Sequence, residues 1–173
     1  RGSGIPQVKV AFARQDGIDL SQAAPEAIES TPVSRALIEL PRALEFSPST
    51  RSEELLAAWH QHRPRDVYPV LDGRRLTGII TVDDLTLLAS EPTLVPLTNA
   101  ADLMRPPVSV RPQDNLQAAL ETMVAHGIRE IPVTDEVGNL VGWLEDRAIA
   151  SAYLKVRSKS AESAAASTNS APA

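Results

Sequence analysis

Residues 44–85 and residues 108–149 run through the same residue types in the same order. Pro112 follows Pro48 by 64 positions (112 − 48 = 64), Gly142 follows Gly78 by 64 and Pro132 follows Pro69 by 63. One insertion or deletion accounts for the drift of one. Such an internal period restricts the fold to one unit packed on its copy, because neither unit is large enough to bury its own core alone. It also bears on function, since a ligand can sit in the cleft between two copies.

Each copy begins with a short β-prone entry, Ala43–Phe46 or Val108–Val110. The spacing then predicts helices over Ser52–His62 and Asn115–His126, with apolar faces at Leu55, Leu56 and Trp59 and at Leu116, Leu120, Met123 and Val124. Thr50 with Glu53, and Asp114 with Gln117, have the separation of a capping box, and Gly127 is placed as a left-handed helix stop. Two strands follow in each copy, Val67–Leu71 with Leu76–Ile80 and Glu130–Thr134 with Leu140–Leu144. Their pairs Ile79-Ile80 and Trp143-Leu144 break the alternation expected of a half-wet sheet, so both faces are expected to be covered. Helices over Val82–Ala89 and Asp146–Leu154 close the units. The expectation is an α+β fold of two β-α-β-β-α repeats, packed as a pseudo-twofold pair around a shared core. Its divisions are an arm or linker at 1–33 lying on the surface, a first repeat at 34–89, a connector at 90–100, a second repeat at 101–154 and a disordered tail at 155–173.

Composition removes several functions. A net charge of −5 argues against a nucleic-acid or anionic-membrane surface, and zero cysteines exclude disulfides and thiolate chemistry. The longest apolar run, Leu55–Trp59, is far short of the ~20 residues of a spanning helix. No Ser-His-Asp order, phosphate-binding glycine loop or dinucleotide turn is present, so no catalytic residue is assigned. His60 and His62 are two apart on a helix and do not share a face, and His126 ends its own helix, so no metal site is expected. Arg63-Pro64-Arg65-Asp66 reads as a solvated loop, and Trp59 and Trp143 read as core or interface anchors.

Tyr68-Pro69-Val70-Leu71-Asp72, Leu76-Thr77-Gly78-Ile79-Ile80-Thr81 and Asp84-Leu85 resemble the signature of a CBS domain. Ile131-Pro132-Val133-Thr134-Asp135 and Leu140-Val141-Gly142-Trp143-Leu144 resemble its second copy, and Ala101-Asp102-Leu103-Met104 resembles the segment that opens one. The resemblance covers roughly residues 34–154. It implies a tandem CBS pair (a Bateman module), a regulatory disc that forms homodimers, takes AMP, ADP or ATP between its repeats and acts on an attached enzyme, channel or transporter. Lys9–Leu20 is similar to the stretch leaving the last membrane helix of bacterial ClC-type chloride channels and transporters. That similarity implies a membrane-embedded transporter domain on the same chain, with this part on the cytoplasmic side of the plasma membrane.

The resemblance gives Thr81 a phosphate-binding role and Asp84 a ribose-binding role, with Ile79 beside the base. Ile128 and Arg129 complete the candidate pocket from the second copy, with Glu130 opposing an anion. Physically, a hydroxyl and amides at a helix N-terminus attract phosphate oxygens. The same two residues also read as a helix cap with no ligand. In the second copy Glu145 and Ala148 stand in the corresponding places, which removes nucleotide chemistry there and leaves at most one nucleotide per chain. Asp84→Ala is then expected to weaken binding with folding almost intact. A purely structural dimerisation tail is the alternative reading, and an enzyme comes last.

Overall fold

A computed structural model describes residues 28–39, 44–62, 65–155 and 158. The stretch to residue 27 expected as a surface arm, the Lys9–Leu20 resemblance and, apart from Lys155 and Ser158, the tail at 155–173 expected to be disordered lie outside the described residues. In the first repeat, α1 (Ser52–Gln61) leads into β1 (Val67–Asp72), β2 (Arg75–Thr81) and α2 (Val82–Ser90). The short α3 (Ala100–Leu103) precedes the second repeat. There α4 (Leu116–His126), β3 (Glu130–Thr134), β4 (Leu140–Glu145) and α5 (residues 146–155) repeat the order. The expected strands and closing helices therefore stand within a residue or so of their bounds.

The two hairpins match in detail. Val70 faces Gly78 and Val133 faces Gly142, and each antiparallel register shifts immediately afterwards, at Leu71 and at Thr134. Phe46 and Val110 each add a one-residue parallel bridge on the outer side, to Val70 and Val133. Where the hairpins meet, Leu76 N–H donates to Gly138 O at 2.9 Å and Leu140 N–H donates to Arg74 O at 2.8 Å. Exchanging the repeats exchanges these two bonds, which is the pseudo-twofold relation.

The helix starts differ from expectation. Arg51 stands at the N-cap of α1 without a side-chain bond, because Thr50 Oγ1 accepts instead from Ser47 N–H at 2.9 Å. At α4 the cap is Asn115, whose Oδ1 accepts from Ala118 N–H at 2.8 Å, while Asp114 Oδ2 is taken by Arg111 N–H. Both predicted boxes were drained by a tighter local turn. Gly127 does stop α4, at φ 65°.

The arms are exchanged. Residues 31–38 lie ahead of the entry strand of the first repeat but pack on the second: Leu116 N–H donates to Thr31 O at 2.9 Å, and Ile38 and Trp143 exchange N–H···O bonds of 2.9 Å. Residues 98–105 lie ahead of the entry strand of the second repeat but pack on the first, through Ser52 N–H to Thr98 O at 3.2 Å and a matching exchange between Ile79 and Arg105. Val33 and Ala100 are the fully buried residues of the two arms. Ile28, Thr31 and Val33 thus belong to the buried structure of the second repeat, which corrects the reading of everything before residue 34 as a surface arm. Likewise, Thr98–Arg105 is covalently the lead-in of the second repeat and spatially part of the first.

A large core takes Val67, Leu71, Leu76 and Ile79 from the first repeat and Leu116, Met123, Ile131, Val133, Trp143 and Ile149 from the second. The alternate residues Tyr68, Val70 and Ile80 face a smaller cluster with Phe46, Leu55 and Leu85. β1, β2 and β3 are therefore largely covered on both faces, as the unbroken apolar runs predict, whereas β4 departs from that expectation and leaves Val141 42% exposed. Each large aliphatic chain so buried is worth about 1.5–3 kcal/mol against exposure, so the shared core holds the halves together.

Candidate functional site

Thr81 ends β2 opposite Val67 and caps α2. Asp84 N–H donates to Thr81 Oγ1 at 3.4 Å, while Thr81 N–H and Oγ1–H donate to Asp84 Oδ2 at 2.9 and 2.7 Å. The helix-cap role of the pair is therefore present. A third residue, not anticipated from sequence, joins them. Arg105 Nε lies 3.1 and 3.0 Å from the two Asp84 oxygens and its Nη2 lies 2.7 Å from Oδ1. Burial raises the Asp84 carboxyl, but the hydrogen bonds from Arg105 and Thr81 outweigh it and leave the group below the ordinary carboxylate value. The acidic first turn of α2, Asp83 and Asp84, thus has its cation supplied by the exchanged arm.

The other candidate residues are placed differently. Ile79 and Ile128, each 3% exposed, are packed into the shared core, so neither is an open wall beside a base. Ile79 instead holds Arg105 in place through its backbone. Arg129 sends Nε to Asp146 Oδ2 at 2.9 Å within its own repeat, which turns that nitrogen toward α5. Within the segment 128–131, the Glu130 carboxylate accepts from the first repeat at Asp66 and Val67.

Glu130 is not an exposed charge opposing an anion. Its carboxylate, in a residue 6% exposed, accepts from Arg65 Nη1, Asp66 N–H and the Trp143 indole Nε1, each at 2.6 Å, and from Val67 N–H at 3.3 Å. Burial nevertheless pushes its pKa upward, against the pull of Trp143, Arg65 and the two amides. Arg65 is correspondingly no solvated loop residue: its side chain is 16% exposed and its guanidinium carbon lies 5.9 Å from the Trp143 ring centroid. Arg63 and Pro64 of that loop lie outside the described residues.

The corresponding positions of the second repeat meet the same group. Glu145, in the place of Thr81, pairs with Arg65 at 3.6 Å and with Arg147, and Ala148, in the place of Asp84, packs against the core. Trp143, the counterpart of Ile79, is fully buried. Sequence spacing hid these partners because Arg65–Glu130 and Asp84–Arg105 are separated by 65 and 21 residues. Among the described residues no group of three or more His, Cys, Asp or Glu is placed to hold a metal ion. His60 Nδ1 and His126 Nδ1 lie 2.6 and 2.9 Å from carbonyls of their own helices. No described helix is long and apolar enough to cross a membrane.

Comparison with known proteins agrees with this architecture. Residues 100–155 match the CBS domain family. Over 142 residues the chain is 26% identical to an inosine-5'-monophosphate dehydrogenase of Korarchaeum cryptofilum (strain OPF8), covering 79% of this chain but only 29% of that relative's length. Among solved structures it is similar to the CBS-pair protein CBSX2 of Arabidopsis thaliana, at 25% identity and a TM-score of 0.64 over 73% of this chain and 96% of the other. A structure of CBSX2 in complex with AMP superposes with a TM-score of 0.63 at 24% identity, over 74% of this chain and 99% of that one. The CBS domain of a bacterial CNNM/CorC family Mg2+ transporter in complex with ATP has a TM-score of 0.61 at 21% identity, over 75% and 91% of the two chains.

Proposed function

This chain carries a CBS domain in its second half and folds as a CBS pair, and from that premise we propose that it is a non-catalytic regulatory module that senses one adenosine nucleotide per chain. The observation that carries the reading is the unlike state of the equivalent helix starts in the two repeats. At the first, Thr81, Asp84 and a half-exposed Arg105 offer a hydroxyl, a carboxylate and a guanidinium at a helix start. At the second, Arg65, Glu130, Glu145 and Arg147 satisfy one another. AMP and ATP are ligands of similar folds. Ligand acts on an attached machine by binding two of its states with different affinity. Titration calorimetry with AMP, ADP and ATP is expected to give one binding event per chain. No heat up to millimolar ligand would contradict the reading.

In the proposal the module is a homodimer, and its host is a ClC-type channel or transporter with this part on the inner side of the plasma membrane. The host reading rests on Lys9–Leu20. The coding sequence upstream of Arg1 tests it: a series of apolar membrane helices supports it, and a catalytic domain such as a dehydrogenase contradicts it. A second reading, a structural dimerisation tail without ligand, is favoured by one observation. Asp84 already has all its partners within the chain. The same calorimetry separates the two.

A further inference from the structure

Resting on the nucleotide reading, we propose that Arg105 is the residue that discriminates phosphorylated from unphosphorylated nucleoside. The exchanged arm supplies it, and the ribose releases it from Asp84. Asp84 has no unused place for a ribose diol. Oδ2 accepts from Thr81 N–H, Thr81 Oγ1–H and Arg105 Nε, and Oδ1 accepts from Arg105 Nε and Nη2. A carboxylate offers about four acceptor sites, so a diol must displace a donor. Thr81 is fixed by the strand and the helix it joins. Arg105 is the donor that can leave: its side chain is 51% exposed against 17% for Asp84.

Arg105 can leave without disturbing the fold, because its backbone is held independently. Ile79 N–H donates to Arg105 O at 3.1 Å and Arg105 N–H donates to Ile79 O at 2.8 Å. The guanidinium therefore swings on its own side-chain bonds, pivoting beside the first turn of α2. That turn carries Asp83 and Asp84, which repel a phosphate from the amides that would otherwise attract it. A phosphate becomes welcome once the guanidinium leaves the carboxylate and meets it, a bidentate geometry suited to Arg. A phosphorylated ligand thus exchanges one ion pair for another. Unphosphorylated adenosine breaks the Arg105–Asp84 pair and gives the guanidinium nothing in return.

The test is the ratio of AMP to adenosine affinity, measured by calorimetry on the whole chain for wild type, Arg105→Ala and Arg105→Lys, with melting temperature as the folding check. Wild type is expected to prefer AMP. In Arg105→Ala adenosine should bind at least as well as before and AMP more weakly, so that the preference falls about tenfold. Arg105→Lys keeps the charge but loses the fork and should fall between. Both ligands binding with an unchanged ratio in Arg105→Ala would overturn this inference and leave the nucleotide reading standing. Wild type binding neither ligand would overturn both.

Discussion

The Trp143 indole donates to Glu130 Oε2 at 2.6 Å, and through that carboxylate a core residue of the second repeat is tied to Arg65 of the first. The arrangement fixes where the repeats meet as well as how strongly. A buried carboxylate with a guanidinium, an indole and two amides around it has one geometry that satisfies every partner.

Removing that carboxylate takes away the shorter of the two ion pairs of the largely buried Arg65 and leaves it Glu145 at 3.6 Å. Glu130→Ala is therefore expected to cost about 3–5 kcal/mol in urea unfolding, the range for breaking a buried pair from one side. Glu130→Gln retains an acceptor for the indole and should cost less. If Glu130→Ala unfolds at the wild-type midpoint, the tie contributes nothing.

The exchanged arms make a prediction that reads out at single amides. Removing residues up to Ile38 takes away the acceptors of Leu116 and Trp143, at Thr31 O and Ile38 O. Hydrogen exchange should accelerate first at those two amides. Ser52 and Ile79, which donate to Thr98 and Arg105 of the other arm, should stay protected. Equal acceleration at all four would show that the arms do not act on opposite repeats.

Gly78 and Gly142 occupy equivalent places in the two hairpins but are not equally tolerant. A Cβ on Gly78 would lie 2.8 Å from Arg105 O, a backbone atom, whereas one on Gly142 would meet the end of the Leu37 side chain at 3.2 Å. Gly78→Ala should therefore lower the melting temperature more than Gly142→Ala, and the reverse order would contradict the packing of the arms.

Acid titration should separate the two carboxylates by sign. Burial raises Glu130, so the folded chain holds that proton more tightly than the unfolded chain does. The associated stability is present below the ordinary value of 4.5 and is lost as pH rises through the folded value. Asp84 is lowered, so its contribution is present above the ordinary 3.8 and is lost as pH falls through the folded value. The advantage of wild type over Glu130→Gln should shrink with rising pH, and its advantage over Asp84→Asn should shrink with falling pH. Unfolding free energies between about pH 3 and 7 check both slopes. Asp84→Ala is also no silent change, since it removes half of a capping box worth about 1 kcal/mol, so Asp84→Asn is the milder probe.

The repeat, the strand bounds and the Gly127 stop were legible in the sequence, because each is set by periodicity or by one residue's backbone freedom. The two helix caps were misread since Thr50 and Asp114 serve local turns one residue too early. Arm exchange leaves no local trace: Thr31–Ile38 and Thr98–Arg105 differ in composition, and each finds its partner in the repeat it does not precede. The same holds for Arg105, whose meaning depends on Asp84, and for Arg65, whose loop looked wet until Glu130 was placed beneath it. Thr81 and Asp84 were found because their spacing of three is itself the cap.

The most direct test of the account is a crystal structure of the chain grown with AMP. The account predicts one nucleotide per chain, with ribose on Asp84, phosphate beside Thr81 and Arg105 turned away from the carboxylate, while the Arg65–Glu130 tie is unchanged. A nucleotide seated instead between Arg65 and Glu145, or Arg105 still paired with Asp84 beside a bound nucleotide, would contradict it.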